Sequence, residues 1–199
     1  MRNIPMKDVE AIYRAGYWDT VNGDRLAAGV DLATFDAGVN SGPARARSWL
    51  MASIGGPDHE TVQKLCAKRL GFMRSLAIWN TFGRGWSRRV AEIEAKAVAW
   101  ALAKSTSTAQ AREQLGKEAA AASSRSRTQT VGAGTAGTAT TAGSGDALLN
   151  PQHADQIAGW VLGDLLTVGA VVAAILVIRA IIHRQRASAY AAEAGRVMP

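Results

Sequence analysis

The chain has 199 residues, a net charge of +7 at pH 7 and 48% hydrophobic residues, but only 6% aromatic residues. Its single cysteine, Cys66, excludes an intrachain disulfide and a cysteine-based zinc site, so we expect no metal and no cofactor. The basic balance suits a polyanionic partner or, alternatively, only a solvated surface. Nucleic acid is not expected, because no segment shows a dense basic helix face with base-reading residues.

Residues 1–104 are predicted to form a small all-α domain. Five of the six tryptophans lie here, and apolar residues recur at three- and four-residue spacing without sustained alternation. Val9, Ile12 and Tyr13 form the apolar face of the first helix. Start and stop signals predict helices that begin at Asp8, Pro43 and Pro57, and further helices over about 26–39 and about 85–104.

Residues 105–150 change in character. They are rich in Ala, Gly, Ser and Thr and contain no aromatic residue. A segment of this composition buries too little apolar surface to order itself, although its first half can form a marginal helix. We therefore expect a flexible linker, followed by a transmembrane region over 151–186 and a tail over 187–199.

Residues 157–182 predict one C-terminal transmembrane helix. The run is apolar apart from Asp164 near one end, and it is long enough to cross a hydrocarbon core. The alternative is a buried soluble helix. Basic residues follow the run, and the positive-inside rule then places the tail in the cytoplasm and the N-terminal domain in the periplasm of a bacterial inner membrane. The missing signal peptide favours the opposite orientation.

Two aspartates in the stretch "GVDLATFDAGVNSGP" raise the question of a catalytic pair. Asp31 and Asp36 are five residues apart on a predicted helix, so they point about 140° away from each other and do not flank one substrate bond as an acid–base pair. Asp36 and Asn40 share a face, and with Gly42 and Pro43 they are interpreted as a structural corner between two helices. Asp31 is interpreted as a helix cap or a ligand contact.

The stretch "TFGRGWSRR" is the predicted binding segment. Its two glycines permit a close turn, Trp86 can stack on a ring of a ligand, and Arg84, Arg88 and Arg89 can pair with carboxylates. The alternative is that Trp86 belongs to the core and that the arginines are solvated. No residue of the chain is assigned a catalytic role.

Four strings follow one another between residues 5 and 100: "YWD", "GVDLATFD", "VNSGP" and "FGRGWSRRV". In this order they resemble the second half of glycoside hydrolase family 108, the phage-type endolysins and secretion-associated muramidases that cut peptidoglycan. The resemblance implies a lysozyme-like helical bundle that binds peptidoglycan. Members carry their catalytic glutamate in a Glu-Gly-Gly-Tyr motif, which this sequence lacks.

Three hypotheses follow. The leading one is a membrane-anchored peptidoglycan-binding module without its own catalytic glutamate. The second is one part of a split muramidase, completed by a chain that carries the missing segment, since Val9, Ile12 and Tyr13 would otherwise lack partners. The third is a holin-like or antiholin-like membrane regulator of lysis, whose working part is the span over 157–182.

Overall fold

The computed structural model describes the backbone of residues 4–142 and 154–197 and the side chains of residues 4–134 and 170–197. In these parts of the chain all regular elements are helical, which confirms the all-α prediction. The helices are α1 Met6–Tyr13, α2 Val30–Ser41, α3 Pro43–Met51, α4 Asp58–Arg74, α5 Trp79–Ser105, α6 Thr108–Ala142 and α7 Ala154–Arg196. A π-helical turn at Arg14–Trp18 and a 3-10 turn at Gly23–Arg25 join α1 to α2.

The chain divides into two compact units. The first consists of residues 1–119 together with residues 185–199, and the second of residues 120–184. In the first unit α4 packs most extensively on α5. Both helices place apolar side chains at helical spacing into one core, which holds Val62, Leu65, Cys66 and Met73 from α4 and Val90, Val98 and Leu102 from α5.

Two glycines set the position of α2 in the first unit. Gly29, before α2, has a φ of +87°, and a Cβ built on it would lie 2.0 Å from the carbonyl oxygen of Ala97 on α5. The start of α2 therefore touches the backbone of α5 with no room for a side chain. Gly42 has a φ of +89° and turns the chain between α2 and α3, with Pro43 in the first turn of α3.

Three helix starts differ from their predictions. α2 begins at Val30 rather than at about residue 26. α1 begins at Met6 rather than at Asp8, with Pro5 as its N-cap, and it contains no buried residue. α5 begins at Trp79, so the glycines of "TFGRGWSRR" lie within a helix and not at a turn. Gly83 is needed there because a Cβ would lie 2.5 Å from the ring of Trp79.

Helix α6 occupies most of the segment predicted to be a flexible linker. It runs over Thr108–Ala142, and its alanine-rich first turns favour a helix. Ala111 and Leu115 are completely buried and belong to the core of the first unit. The burial of these two side chains supplies stabilisation that composition alone does not reveal.

The second unit pairs α6 with α7 in antiparallel order. The hydroxyl of Ser126 donates to the carbonyl of Ala180 at 3.0 Å, and a Cβ on Gly132 would lie 3.5 Å from Leu176. Ala122, Ala180 and Ile182 are buried. Within the described residues of α7, several large apolar side chains are exposed: Val171, Val172, Ile175, Val177 and Ile181.

No helix in the described parts of the chain is long and apolar enough to cross a membrane. The predicted span over 157–182 is not supported by this finding; the side chains of its residues 157–169 lie outside the described residues. The predicted separation of tail and N-terminal domain across a membrane is wrong. Residues 185–197 pack in the first unit, where Tyr190 is buried in the core.

Candidate functional site

A buried carboxylate lies between two guanidinium groups in the first unit. Asp36 on α2 accepts a hydrogen bond from Nη1 of Arg69 on α4 at 2.5 Å, and its other carboxylate oxygen accepts from Nη2 of Arg89 on α5. Nε of Arg89 is 3.4 Å from the first oxygen. The Asp36–Arg69–Arg89 triad thus ties three helices together through charge-assisted hydrogen bonds.

The two arginines of the triad differ in exposure. The side chain of Arg69 is 0% exposed, whereas that of Arg89 is 54% exposed. Nε and Nη2 of Arg69 have no hydrogen-bond partner among the described residues. The pKa of the Arg89 guanidinium is raised, chiefly by its hydrogen bond to Asp36 and to a smaller extent by the attraction of Asp36 and of nearby Tyr13, although partial burial opposes this rise. Arg89 is therefore charged, and of the two arginines it is the one that reaches solvent.

An aromatic strip runs along the first turns of α5, next to Arg89. Phe82 and Trp86 are stacked with ring centroids 5.7 Å apart and an interplanar angle of 21°, and Trp79 lies 6.3 Å from Trp86. Phe82 and Arg89 are seven residues apart, so their side chains leave the helix within about 20° of each other. The aromatic strip is defined here as Trp79, Phe82 and Trp86; Phe82 is its most exposed member, at 51%.

A second aromatic group comes from α1, the turn that follows it and α2, and its Tyr13 lies near Arg89. Tyr13 has its ring centroid 6.4 Å from that of Phe35, and Tyr17 lies 5.6 Å from Tyr13. Trp18 meets Phe35 edge-on at 5.6 Å and donates a hydrogen bond from its indole nitrogen to Asp24 at 2.9 Å. Phe35 directly precedes Asp36, the residue that anchors Arg89. One member of this aromatic group and the anchor of Arg89 therefore come from the same turn of α2.

The structure separates the predicted binding residues. Arg84 and Arg88 leave α5 about 160° away from Trp86, whereas Arg89 is only about 60° away. Arg88 pairs with Glu92 at 2.9 Å on the solvent side, and the carbonyl of Arg84 accepts a hydrogen bond from Gln185 on α7. Trp86 is half-buried and packs against the core. Trp86 and Arg89 thus belong to one face of α5, while Arg84 and Arg88 belong to another.

The predicted corner residues have other partners than expected. Asp36 bonds to the arginines and not to Asn40, which is exposed and accepts a hydrogen bond from Ser41 at 3.4 Å. The corner itself lies at Gly42 and Pro43. Asp31 lies in the first turn of α2 and accepts hydrogen bonds from the backbone amides of Gly29 at 2.8 Å and Leu32 at 2.6 Å, while the N-cap position itself is occupied by Gly29.

Sequence reasoning missed Arg69, Tyr13 and Phe82 as members of this site. Arg69 gave one signal, because it falls three residues after the buried Cys66 and shares its side of α4. An arginine at such a position needs a buried acid as its partner. Tyr13 was assigned to the apolar face of the first helix, and it is exposed.

A second buried carboxylate links α5 to the end of α7. Glu94 accepts hydrogen bonds from Arg186 and, at 2.8 Å, from the hydroxyl of Tyr190, which in turn accepts from Gln63 of α4. Burial raises the pKa of Glu94, and the attraction of Arg186 only partly offsets this rise. Burial also raises the pKa of the Cys66 thiol, which is therefore protonated and unreactive near neutral pH.

Among the described residues, no group of three or more His, Cys, Asp or Glu side chains is placed to hold a metal ion. The chemistry that the candidate site offers is therefore that of aromatic faces and one exposed guanidinium. Both buried carboxylates are enclosed by their hydrogen-bond donors, so neither is presented to a substrate.

Residues 1–42, which include α1 and α2, match the family model described as Glycosyl hydrolase 108. A solved structure of SagA from Brucella abortus is 34% identical in sequence, with a TM-score of 0.47, over 49% of this chain and 66% of that one. The chain thus spans 66% of the length of that structure. A comparison with curated proteins gives no match. Over residues 1–42, which supply Tyr13, Phe35 and Asp36 to the candidate site, the chain is related to the glycosyl hydrolase 108 family.

Proposed function

We propose that the chain is a peptidoglycan-binding module that holds a glycan strand on the aromatic strip of α5. The proposal rests on one observation: the exposed ring of Phe82 and the half-buried ring of Trp86 lie on the same side of α5 as Arg89, whose anchor Asp36 comes from the stretch related to glycosyl hydrolase 108. The enzymes of that family act on peptidoglycan, so the relationship favours this polymer as the ligand.

The chemistry of the strip suits a sugar. The face of an aromatic ring carries partial negative charge, and the C–H groups on one side of a pyranose ring carry partial positive charge, so the two stack. Phe82 and Trp86 are separated by one helical turn, about 6 Å along α5, which is close to the length of one sugar ring. Trp79 packs behind them and fixes the orientation of Trp86.

Sedimentation of the full chain with purified peptidoglycan sacculi tests the proposal. We expect Phe82→Ala to weaken retention about tenfold, equivalent to ~1.4 kcal/mol of binding free energy. The matched control is Trp100→Ala, because Trp100 is an aromatic residue of the same helix that is 44% exposed and lies about 27 Å farther along it. Equal retention of the Phe82 variant and the wild type would contradict the proposal that the aromatic strip binds the glycan strand.

A second candidate function is supported by α1. Ile12 and Tyr13 are 60% and 42% exposed, although with Val9 they have the three-four spacing of a packed helix face, and no residue of α1 is buried. An exposed apolar face of this kind marks an interaction site. The partner that fits is a helical segment bearing the family's glutamate, carried by another chain or by a longer form of this one, and the assembly would then be a muramidase.

This second function has its own test. Co-expression of the chain with a candidate segment that contains Glu-Gly-Gly-Tyr is expected to produce clearing of sacculi, and Ile12→Asp is expected to abolish both assembly and clearing. Ile54→Asp is the control, because Ile54 is also 60% exposed in the first unit. Clearing that survives Ile12→Asp would exclude α1 as the docking face.

A further inference from the structure

We infer that the site selects a glycan that bears a carboxylate, and that Arg89 is the group that recognises it. The inference rests on the proposed function and narrows its ligand class. A neutral polymer of N-acetylglucosamine could stack on the aromatic strip, but it would leave the net positive charge of the Asp36–Arg69–Arg89 triad unbalanced.

The charge balance of the triad carries the inference. Asp36 contributes one negative charge, and Arg69 and Arg89 contribute one positive charge each. Arg69 is completely buried and has no route to an external anion, so its charge is balanced by Asp36. One positive charge therefore remains, and it lies on Arg89, whose side chain is about half exposed.

Arg89 is also held ready for a ligand. Nε and one N–H of Nη2 point at Asp36, so three of the five guanidinium N–H groups are not used there. Because Asp36 fixes the side chain, less conformational entropy is lost when an anion binds than for a freely rotating arginine. Phe82 and Trp86 leave α5 on the same side, so a sugar on the strip would place its substituents beside the guanidinium.

The other two arginines of the segment do not offer this combination. The charge of Arg88 is matched by Glu92 four residues later, in a pair that is exposed to solvent. Arg84 leaves α5 away from Phe82 and Trp86. The structure thus distinguishes Arg89 from neighbours of identical chemistry, which the sequence treated as one group.

Peptidoglycan offers the carboxylate from two sources. Intact strands carry it on the stem peptides, and strands stripped of their peptides by an amidase carry it on the lactyl group that the cleavage frees. Chitin has the same N-acetylglucosamine backbone and no carboxylate. These three polymers separate the contribution of the carboxylate from that of the sugar ring.

The experiment compares retention of the full-length wild type, Arg89→Gln and Arg88→Gln on intact sacculi, amidase-stripped strands and chitin. We expect the wild type to bind sacculi at least tenfold more tightly than chitin, and Arg89→Gln to lose this preference while Arg88→Gln keeps it. Added salt should weaken the wild type more than Arg89→Gln, because the contact is charged and solvent-accessible. Wild-type binding to stripped strands assigns the carboxylate to the lactyl group, and its loss there assigns it to the stem peptide.

Two outcomes separate the inference from the proposed function. If the wild type binds sacculi and chitin equally and Arg89→Gln changes nothing, the inference is overturned while glycan binding stands. If the wild type binds none of the three polymers, the proposed function itself fails. The comparison of the three polymers needs only the wild type. It therefore decides whether the site prefers a glycan with a carboxylate, even if a variant does not fold.

Discussion

The guanidinium of Arg186, close to the end of the chain, donates a hydrogen bond to the buried carboxylate of Glu94 in the middle of α5. Tyr190, one turn later in α7, donates to the same oxygen at 2.8 Å. The two donors anchor the end of α7 to α5, and Gln63 extends the contact to α4. Residues 185–197 are therefore a structural part of the helical bundle that carries the candidate site.

Tyr190→Phe tests this anchor. The substitution removes the hydroxyl that donates to Glu94 and leaves the amide of Gln63 without its acceptor, so we expect a loss of about 1–3 kcal/mol in the free energy of unfolding. Urea unfolding followed by tryptophan fluorescence measures it, since five of the six tryptophans lie in the first unit. Tyr17→Phe, in the aromatic group of α1 and α2, should change stability by less than about 0.5 kcal/mol. Equal effects of the two substitutions would contradict the anchor.

The raised pKa of Glu94 predicts a pH dependence of stability. Burial raises the pKa of this carboxyl above its ordinary value of 4.5, so between the two values the folded state binds more protons than the unfolded state. The contribution of Glu94 is fully present below pH 4.5 and is lost as the pH rises through the raised pKa. We therefore expect the free energy of unfolding of the wild type, relative to Glu94→Gln, to fall over this range.

The measurement is a series of urea unfolding curves of both proteins from pH 4 upward. Taking the difference between them cancels the other titrating groups. A difference that is independent of pH would show that the pKa of Glu94 is the same in the folded and unfolded states, and a difference that grows with pH would show that Arg186 lowers the pKa instead.

Substitutions in the Asp36–Arg69 pair are expected to lower the free energy of unfolding strongly when made singly, and by less than the sum of the single losses when combined. Asp36→Asn leaves the buried charge of Arg69 without a carboxylate, and we expect a loss of about 3–5 kcal/mol. Arg69→Met alone should cost less, because Asp36 keeps Arg89. In the double variant Asp36→Asn/Arg69→Met the loss should be smaller than the sum of the two, as thermal or urea unfolding will show. Additive losses would mean that the two groups do not interact.

Gly29 and Gly42 form a matched pair of left-handed glycines. Gly42→Ala meets open space, so only backbone strain applies, and we expect a loss of about 1–2 kcal/mol. Gly29→Ala adds a clash with the carbonyl oxygen of Ala97 and should cost clearly more, with α2 displaced from α5. The shift in melting temperature of each variant checks this ranking. A reversal of the ranking would place the start of α2 away from α5.

Local sequence patterns were sufficient to predict where a helix begins when the helix buries one continuous apolar stripe. α3 and α4 begin within a residue of the predicted positions, because a proline and a three-four spacing mark each of them. α5 was predicted to begin six residues too late, since Gly83 and Gly85 suggested a turn. Gly83 is instead the residue that accommodates the ring of Trp79, which is information that spacing does not carry.

The candidate site could be predicted only in part. Trp86 and Arg89 were identified from composition, but their separation from Arg84 and Arg88 depends on α5 being helical throughout the segment. The pairing of Asp36 with Arg69 joins positions 33 residues apart, and that of Glu94 with Tyr190 joins positions 96 residues apart. Periodicity describes the face of one helix and cannot indicate which distant helix covers it.

The anchoring of Tyr190 has a consequence for biosynthesis. The core of the first unit includes the side chain of Tyr190, so this bundle cannot be completed before residues 185–197 have been synthesised. Residues 120–184 are made before this closing segment, and bringing residues 119 and 185 together carries an entropic cost that grows only slowly with the number of residues between them. The bundle thus reaches its final stability only when residues 185–197 have docked, and a chain truncated before residue 185 leaves Glu94 uncovered.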